Sequence, residues 1–441
     1  MHVCNVCEEK SRVGMSMTVN ADDAMNAGTT ATRGSATAPA TGGTAAPATA
    51  NRTGAGTGIG SVPAQEARGL ESVVAAQSRL GAVDGTAGTL HYAGYSIDDL
   101  ATQASFEEVL YLLLYGELPA PGQLNGLRAE LAAAQDDREA LALFATLPVT
   151  GAPIDALRTA VSALAQLDPR AEDVTPENAR RTGVRLAALM SVALAAVERR
   201  AHGQPPVPPR PDLGHAANFL SMLHGAAPTA TATRALNTYL VLLAEHSLNA
   251  STFAARVAIG AGADTYAALT AAIATLKGDA HGGANRRAAE MLREIGTPAR
   301  VESFVEEALS SHRRLMGIGH RIYKTRDPRA THLETLAHDL AEETGRRDTY
   351  DVARRLEGVA GAHPYYQQRR LYPNVEFFSA PVLAGLGFRP ELMPAVFALS
   401  RIAGWTAHIM EQLADNRLIR PAARYIGPAP RSFVSLSERG E

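Results

Sequence analysis

From Gln65 onward, apolar residues recur at three- and four-residue spacing and rarely alternate, so the folded part of this chain has to be assembled from helices. Phe106, Val109, Leu110 and Leu113 mark one stripe, and Leu236, Tyr239, Leu240 and Leu243 a second. Leu399, Ile402, Trp405, Ile409 and Leu413 mark a third near the C-terminus. Strand-like patterning is confined to a hairpin piece at Thr89 to Tyr92 and an extended piece at Arg424 to Ile426. Proline-rich breaks at Pro205 to Pro209 and around Pro148 to Pro153 predict loops between helices rather than linkers between domains. The expected fold class is all-α, and no internal repeat interrupts it.

Residues 1–64 differ from all that follows. Ala, Thr, Gly, Ser and Pro dominate, with too few large apolar side chains to form a core, which predicts a disordered low-complexity tail. Its Cys4 and Cys7, the chain's two cysteines, make half of a zinc-type ligand set and no more. The glycines at 54, 56, 58 and 60 miss the dinucleotide spacing. The remainder is large enough to bury a sizeable core, since 46% of the 441 residues are hydrophobic. A net charge of -3 gives no basic surface for nucleic acid, and no apolar run of 18 residues is present to span a membrane. A cysteine-free body fits a reducing compartment, and the expected location is cytoplasmic.

Chemistry concentrates in four segments: His246-Ser-Leu-Asn-Ala-Ser-Thr252, Ala280-His281-Gly-Gly-Ala-Asn285, Gly317-Ile-Gly-His320 with its continuation to Asp327-Pro-Arg329, and Tyr372-Pro-Asn-Val-Glu376. The stripe ending at Leu243 places His246 in the last turn of a helix, with Asn249 or Ser251 capping the next. Leu269, Ile273 and Leu276 carry another helix to a stop at Gly278, so His281 falls in a turn, and Asn285 is expected to cap the helix beyond it. Gly317 and Gly319 free the backbone beside His320, and Pro328 is expected to end the element running through Tyr323. Histidines 35 and 39 residues apart rule out one helix-face metal motif, and no metal is expected. Spacing alone does not show that these turns converge.

From about Gly69 to Pro428 the chain resembles a citrate synthase of the bacterial type. Gly69-Leu-Glu-Ser-Val-Val, Ala104-Ser-Phe-Glu-Glu-Val, Asn249-Ala-Ser-Thr-Phe253, Leu276-Lys-Gly-Asp-Ala-His281, the run from His320 to Arg329, Tyr372-Pro-Asn-Val375 and Ser400-Arg-Ile-Ala-Gly-Trp405 all fall in family order. The resemblance implies an almost all-helical homodimer. It implies a large domain, residues 65–281 and 376–441, with a smaller helical domain, 282–375, inserted into it. The active site would lie in the cleft between them, closing on oxaloacetate before acetyl-CoA reacts.

Carried over residue by residue, the resemblance makes Glu376 the base, His281 the donor to the thioester oxygen, and His320 the group polarising the oxaloacetate ketone. His246, Arg329, Arg401 and Arg420 would bind oxaloacetate, Arg420 reaching the other subunit's site, and Arg321 and Lys324 are candidates for the CoA phosphates. Acetyl-CoA is a substrate here, and no separate cofactor is implied. The implied reaction is that of the tricarboxylic acid cycle enzyme, an acyltransferase joining acetyl-CoA, oxaloacetate and water into citrate and CoA. Two departures stand out: Glu376 where the family base is Asp, and Leu243 where many relatives carry His. A 2-methylcitrate synthase using propionyl-CoA shares every motif, and a catalytically weak regulatory or ligand-binding paralogue is the third reading.

Overall fold

The computed structural model describes residues 68–70 and 73–440. The tail expected over 1–64, with Cys4 and Cys7, lies outside the described residues. Val73–Glu441 is one compact unit. It opens with a small antiparallel sheet, β1 (Gly81–Asp84), β2 (Thr89–Tyr92) and β3 (Tyr95–Ser96), in which Gly81 faces Tyr92 and His91 faces Ser96. The hairpin expected at Thr89 is thus the centre of a three-stranded sheet. Among the described residues, all other regular elements are helical.

The first helices are α1 (Ile97–Gln103), α2 (Phe106–Tyr115), α3 (Pro121–Gln135), α4 (Arg138–Thr146) and α5 (Pro153–Leu164). Local chemistry sets their starts: Ser105 and Glu108 form a reciprocal capping box on α2, and Pro121 and Pro153 occupy first helical positions. Then come α6 (Pro176–Ala201), α7 (His215–His224), α8 (Ala230–Leu243), α9 (Ala250–Gly260) and α10 (Thr265–Leu276). The Pro205 to Pro209 stretch is the loop between α6 and α7, as expected.

Helices α11 (Gly283–Ile295), α12 (Val301–Ser310), α13 (Pro328–Thr344), α14 (Asp348–Ala362), α15 (Pro364–Gln368) and α16 (Val375–Gly385) follow, and α17 (Met393–Ala414) closes the helical part. The apolar stripe of α17 is buried from Met393 through Ile409, and it packs against α2, α6, α8, α9 and α10. Burying so long a stripe makes α17 the axis of the core. Beyond it the described residues are irregular except for a 3-10 turn at Leu436–Glu438, and the piece at Arg424 to Ile426 forms no strand.

Three expectations about helix ends are corrected. His246 is not in the last turn of a helix: α8 stops with the apolar stripe at Leu243, and His246 lies three residues beyond it. Asn285 does not cap α11: the helix starts two residues earlier, with Gly282 in the N-cap position, and the Asn285 amide donates to Met393 O at 3.2 Å instead. Gly282 can take that place because a Cβ there would come within 2.6 Å of the Leu276 side chain. Pro328 ends nothing, because residues 311–327 carry no helix or strand. It sits at the start of α13, capped by Asp327.

Candidate active site

Three irregular segments carry the histidines and the first turn of α16 carries Glu376, and hydrogen bonds between backbones hold the His320 loop to the loop before α16. Gly319 N donates to Tyr372 O at 2.7 Å, Asn374 N donates to Gly317 O at 2.9 Å, and Ile318 bridges Pro373. The Asn374 amide adds a bond to Gly319 O at 2.8 Å. This seam needs glycine: Gly317 and Gly319 have φ of 80° and 98°, and a Cβ on Gly317 would lie 2.8 Å from Phe377 Cα. The loop carrying His320 is therefore fastened to the loop that leads into Glu376.

His320 is held by its own loop. The amides of Ile322 and Tyr323 donate to Nδ1 at 3.0 and 3.1 Å, so the ring proton sits on Nε2. Burial, with the Arg329 charge nearby, brings its pKa down to about 4. A neutral imidazole presenting Nε2–H is the species that can donate to a carbonyl oxygen.

His246, in the segment just past α8, is buried beside it, with ring centroids 5.6 Å apart, and Nε2 lies 3.4 Å from Tyr323 Oη. Burial and the charges of Arg329 and Arg401 keep its pKa well below the ordinary histidine value.

His281 stands in the turn between α10 and α11 and is held by side chains from elsewhere. Its Nε2 is 2.7 Å from Ser251 Oγ and accepts from the Ser251 amide at 3.4 Å, and that amide, which can only donate, favours the tautomer protonated on Nδ1. Ser251 Oγ also accepts from Trp405 Nε1 at 3.0 Å and lies 2.9 Å from Asn249 Oδ1. Burial, then Arg401, brings the His281 pKa down to about 4.

Glu376 occupies the first turn of α16, where the Asn374 side chain caps its amide at 3.0 Å. Among the described residues no side chain hydrogen-bonds or pairs with its carboxylate. Burial pushes its pKa above the usual carboxylate range, and Arg329 is the first charge opposing that push. A carboxylate of raised basicity with no side-chain partner is available as a proton acceptor.

Both arginines expected here are buried. Arg329 Nε and Nη2 bind Asp327 Oδ1 and Oδ2 at 3.0 and 2.7 Å, a bidentate pair inside the protein. Arg401, midway along α17, donates from Nε to Leu243 O at 2.7 Å and lies over the Phe397 ring at 4.9 Å. Its terminal nitrogens have no hydrogen bond to the described residues. The Glu245 carboxylate is the charge that most opposes the downward push of burial on Arg401.

The Arg401 charge acts on His246, His281 and Glu376, that of Arg329 on His246, His320 and Glu376, and the His246 and His320 rings are in edge contact. Arg321 and Lys324 stand exposed on the His320 loop, with Lys324 Nζ reaching Arg321 O at 3.3 Å. Arg420 is not brought to these side chains; it is exposed on the irregular segment after α17. Among the described residues no cluster of His, Cys, Asp and Glu is arranged to hold a metal ion.

Sequence reasoning missed Tyr323, Asp327 as the partner of Arg329, and Ser251 as a support for His281. It also missed buried Glu245, whose Oε1 lies 3.1 Å from His408 Nε2 while Oε2 has no partner. Tyr323 and Ser251 lie inside quoted motifs, so a signal existed. The Glu245–His408 pairing spans 163 residues and had none.

Residues 69–422 match the family model for the citrate synthase C-terminal domain. Citrate synthase 2 of Bacillus subtilis is 42% identical over 374 residues, covering 84% of this chain and 99% of that protein. The 2-methylcitrate synthase 1 of Corynebacterium glutamicum is 36% identical, covering 85% and 99%. The crystal structure of citrate synthase from Pyrobaculum aerophilum superposes with a TM-score of 0.79 at 38% identity, covering 84% of this chain and 95% of that one. The citrate synthase from Thermoplasma acidophilum, solved with carboxymethyl coenzyme A and oxaloacetate, gives 0.79 at 35% identity, covering 84% and 99%. With an architecture that is helical but for one small sheet, a family model matched over most of the chain, and relatives matched over nearly their whole length, this chain belongs to the citrate synthase family.

Proposed function

We infer that the protein condenses acetyl-CoA with oxaloacetate and water to give citrate and CoA. The observation that carries this reading is the grouping of neutral histidines with an unpartnered carboxylate of raised pKa. A thioester methyl group is a very weak carbon acid, so a carboxylate removes its proton only where the new enolate oxygen meets a placed donor. Glu376 is the base, and His281 Nδ1–H is that donor. His320 Nε2–H polarises the oxaloacetate ketone, so that carbon accepts the enolate. Hydrolysis of the citryl thioester then releases both products.

Oxaloacetate brings two carboxylates. Arg329 is already matched by Asp327, and Arg401, which makes no salt bridge among the described residues, is left as a single buried cation, so one chain supplies too little uncompensated positive charge for a dianion. Arg420 of the partner subunit would supply it, which makes the homodimer part of the reading. The segment that carries Arg420 supports a second copy as its cover, with Tyr425 77%, Ile426 90% and Phe433 87% exposed. His246 completes the oxaloacetate contacts, and Arg321 and Lys324 face the CoA phosphates.

Residues 282–375 act in this reading as a smaller inserted domain that closes over bound oxaloacetate and excludes water from the enolate. Helix α16 packs chiefly against α13 and α11 of that segment, so Glu376 would travel with it. No described helix is long and apolar enough to cross a membrane, and a cytoplasmic location belongs to the same proposal.

The similarity to a protein named 2-methylcitrate synthase keeps propionyl-CoA as a second acyl donor. One methylene in an apolar pocket separates substrates by only about 10- to 200-fold. The test is the initial rate of thiol release with oxaloacetate and either thioester at matched concentration. Faster release with acetyl-CoA is expected, faster release with propionyl-CoA would reassign the acyl donor, and no release with either would point to a binding or regulatory paralogue.

A further inference from the structure

The small sheet in this otherwise helical protein touches the active site at both ends. At its base, Tyr92 Oη donates to Leu242 O at 2.9 Å, and Gly81 packs against Glu245, where a Cβ would lie 3.1 Å from Glu245 Cγ and Oε1. That end is fixed to the C-terminus of α8 and the segment that carries His246. At its tip, the β1–β2 turn lies against the loop after His320. Lys324 N donates to Gly85 O at 2.8 Å. A Cβ on Gly85 would overlap the Ile322 carbonyl, standing 2.7 Å from its carbon.

Gly85 has ordinary negative φ, so the glycine serves space and not backbone conformation. The atoms it admits are those of the peptide between Ile322 and Tyr323, and the amides of these two residues hold His320 Nδ1. The turn itself is braced. Asp84 Oδ1 accepts from Thr86 N and Ala87 N, both at 2.8 Å, and those two bonds hold its carboxyl below the usual range.

We propose that Gly85 is a positioning residue: the β1–β2 turn is the seat on which residues 321–325 rest, and that seat sets the orientation and tautomer of His320. The hairpin thereby ties the His246 side of the site to the His320 side, across the cleft inferred above. This rests on the reading of His320 as the group facing the ketone.

The test is Gly85→Ala, with Asp84→Ala as a milder variant that unbraces an exposed turn without entering the contact, and Ala87→Ser as a control on the same turn. A displacement near 1 Å at a reacting group can cost on the order of 100-fold in rate. Gly85→Ala is expected to lower kcat about 10- to 100-fold with the acyl-CoA KM within about twofold. Asp84→Ala should lower kcat about 2- to 5-fold, on the same grounds of a smaller displacement, and Ala87→Ser should match the parent.

The second readout is the nitrogen NMR spectrum of ligand-free, 15N-histidine-labelled protein, with His320 assigned by His320→Gln. In the parent Nε2 is protonated and Nδ1 is not, and Gly85→Ala should mix the two tautomers. Parent-like kcat and an unchanged His320 signal in both turn variants would overturn the proposal. So would a fall in kcat that tracks melting temperature while the His320 signal stays unchanged. Because the spectrum needs no turnover, a parent that releases no thiol while its His320 signal still responds to Gly85→Ala would fail the functional reading and leave the seat standing.

Discussion

His281 and His320 reach the same electrostatic state by opposite means. Each is brought down to a pKa of about 4, chiefly by burial, and each is left neutral with one N–H to give. His320 is held by two amides of its own loop, three residues of sequence at most. His281 is held by Ser251, itself tied to Asn249 and Trp405, a support drawn from α9, its cap and α17. The difference shows where each site is vulnerable. A side-chain support can be removed by one substitution, whereas a backbone support fails only when the loop moves.

The largest effect should come from removing either ring. His320→Gln and His281→Gln are each expected to lower kcat by about 10²- to 10³-fold, the scale for losing one placed donor at a developing or polarised oxygen. Steady-state thiol release measures both, and a His281→Gln enzyme within tenfold of the parent would end the parity between the two rings. Ser251→Ala should sharpen the contrast. Freed of its hydroxyl partner, His281 should lose its fixed tautomer and kcat about tenfold, roughly 1.4 kcal/mol of transition-state stabilisation. Parent-like kcat there would show that the Ser251 amide suffices.

Stability against pH offers a third separation. Both folded-state values lie below the unfolded value near 6.5. Between 6.5 and about 4 the unfolded chain therefore binds more protons, and stability is full above 6.5 and declines as pH falls toward 4. Urea midpoints across that window should fall with pH in the parent and less steeply in each Gln variant. If one variant keeps the parent slope, that ring is not buried neutral. The smallest change should follow Lys324→Met, since an exposed cation contributes about 1 kcal/mol or less. The acyl-CoA KM should rise a few-fold with kcat and oxaloacetate KM unmoved.

The helices and the turns were legible in the sequence because each rests on local chemistry. The stripes at Phe106, Leu236 and Leu399 became the buried faces of α2, α8 and α17, and Asn249 caps α9 as its position predicts. Pro328 misled because proline stops one helix and starts another with equal ease, and only the Asp327 cap decides which. Leu243 shows the limit differently. Its side chain is core, as the stripe requires, yet its carbonyl is what holds Arg401 Nε, a role that no residue type advertises. The Glu245 pocket is equally silent, depending on Gly81 and Gly404 to leave room for a carboxyl from a third element. Resemblance, rather than periodicity, picked out Arg401.

The seam between Gly317–Gly319 and Tyr372–Asn374 makes His320, the proposed ketone donor, and Glu376, the proposed base, two teeth on one jaw. If the segment 282–375 closes as proposed, the seam carries His320 and Glu376 together, so that their mutual spacing stays constant while their gap to His281 varies. A longer acyl group can then be admitted by widening that single gap, and a Glu in place of a shorter acid needs matching only across it. Substrate size becomes a property of the joint, and the chemistry a property of the jaw.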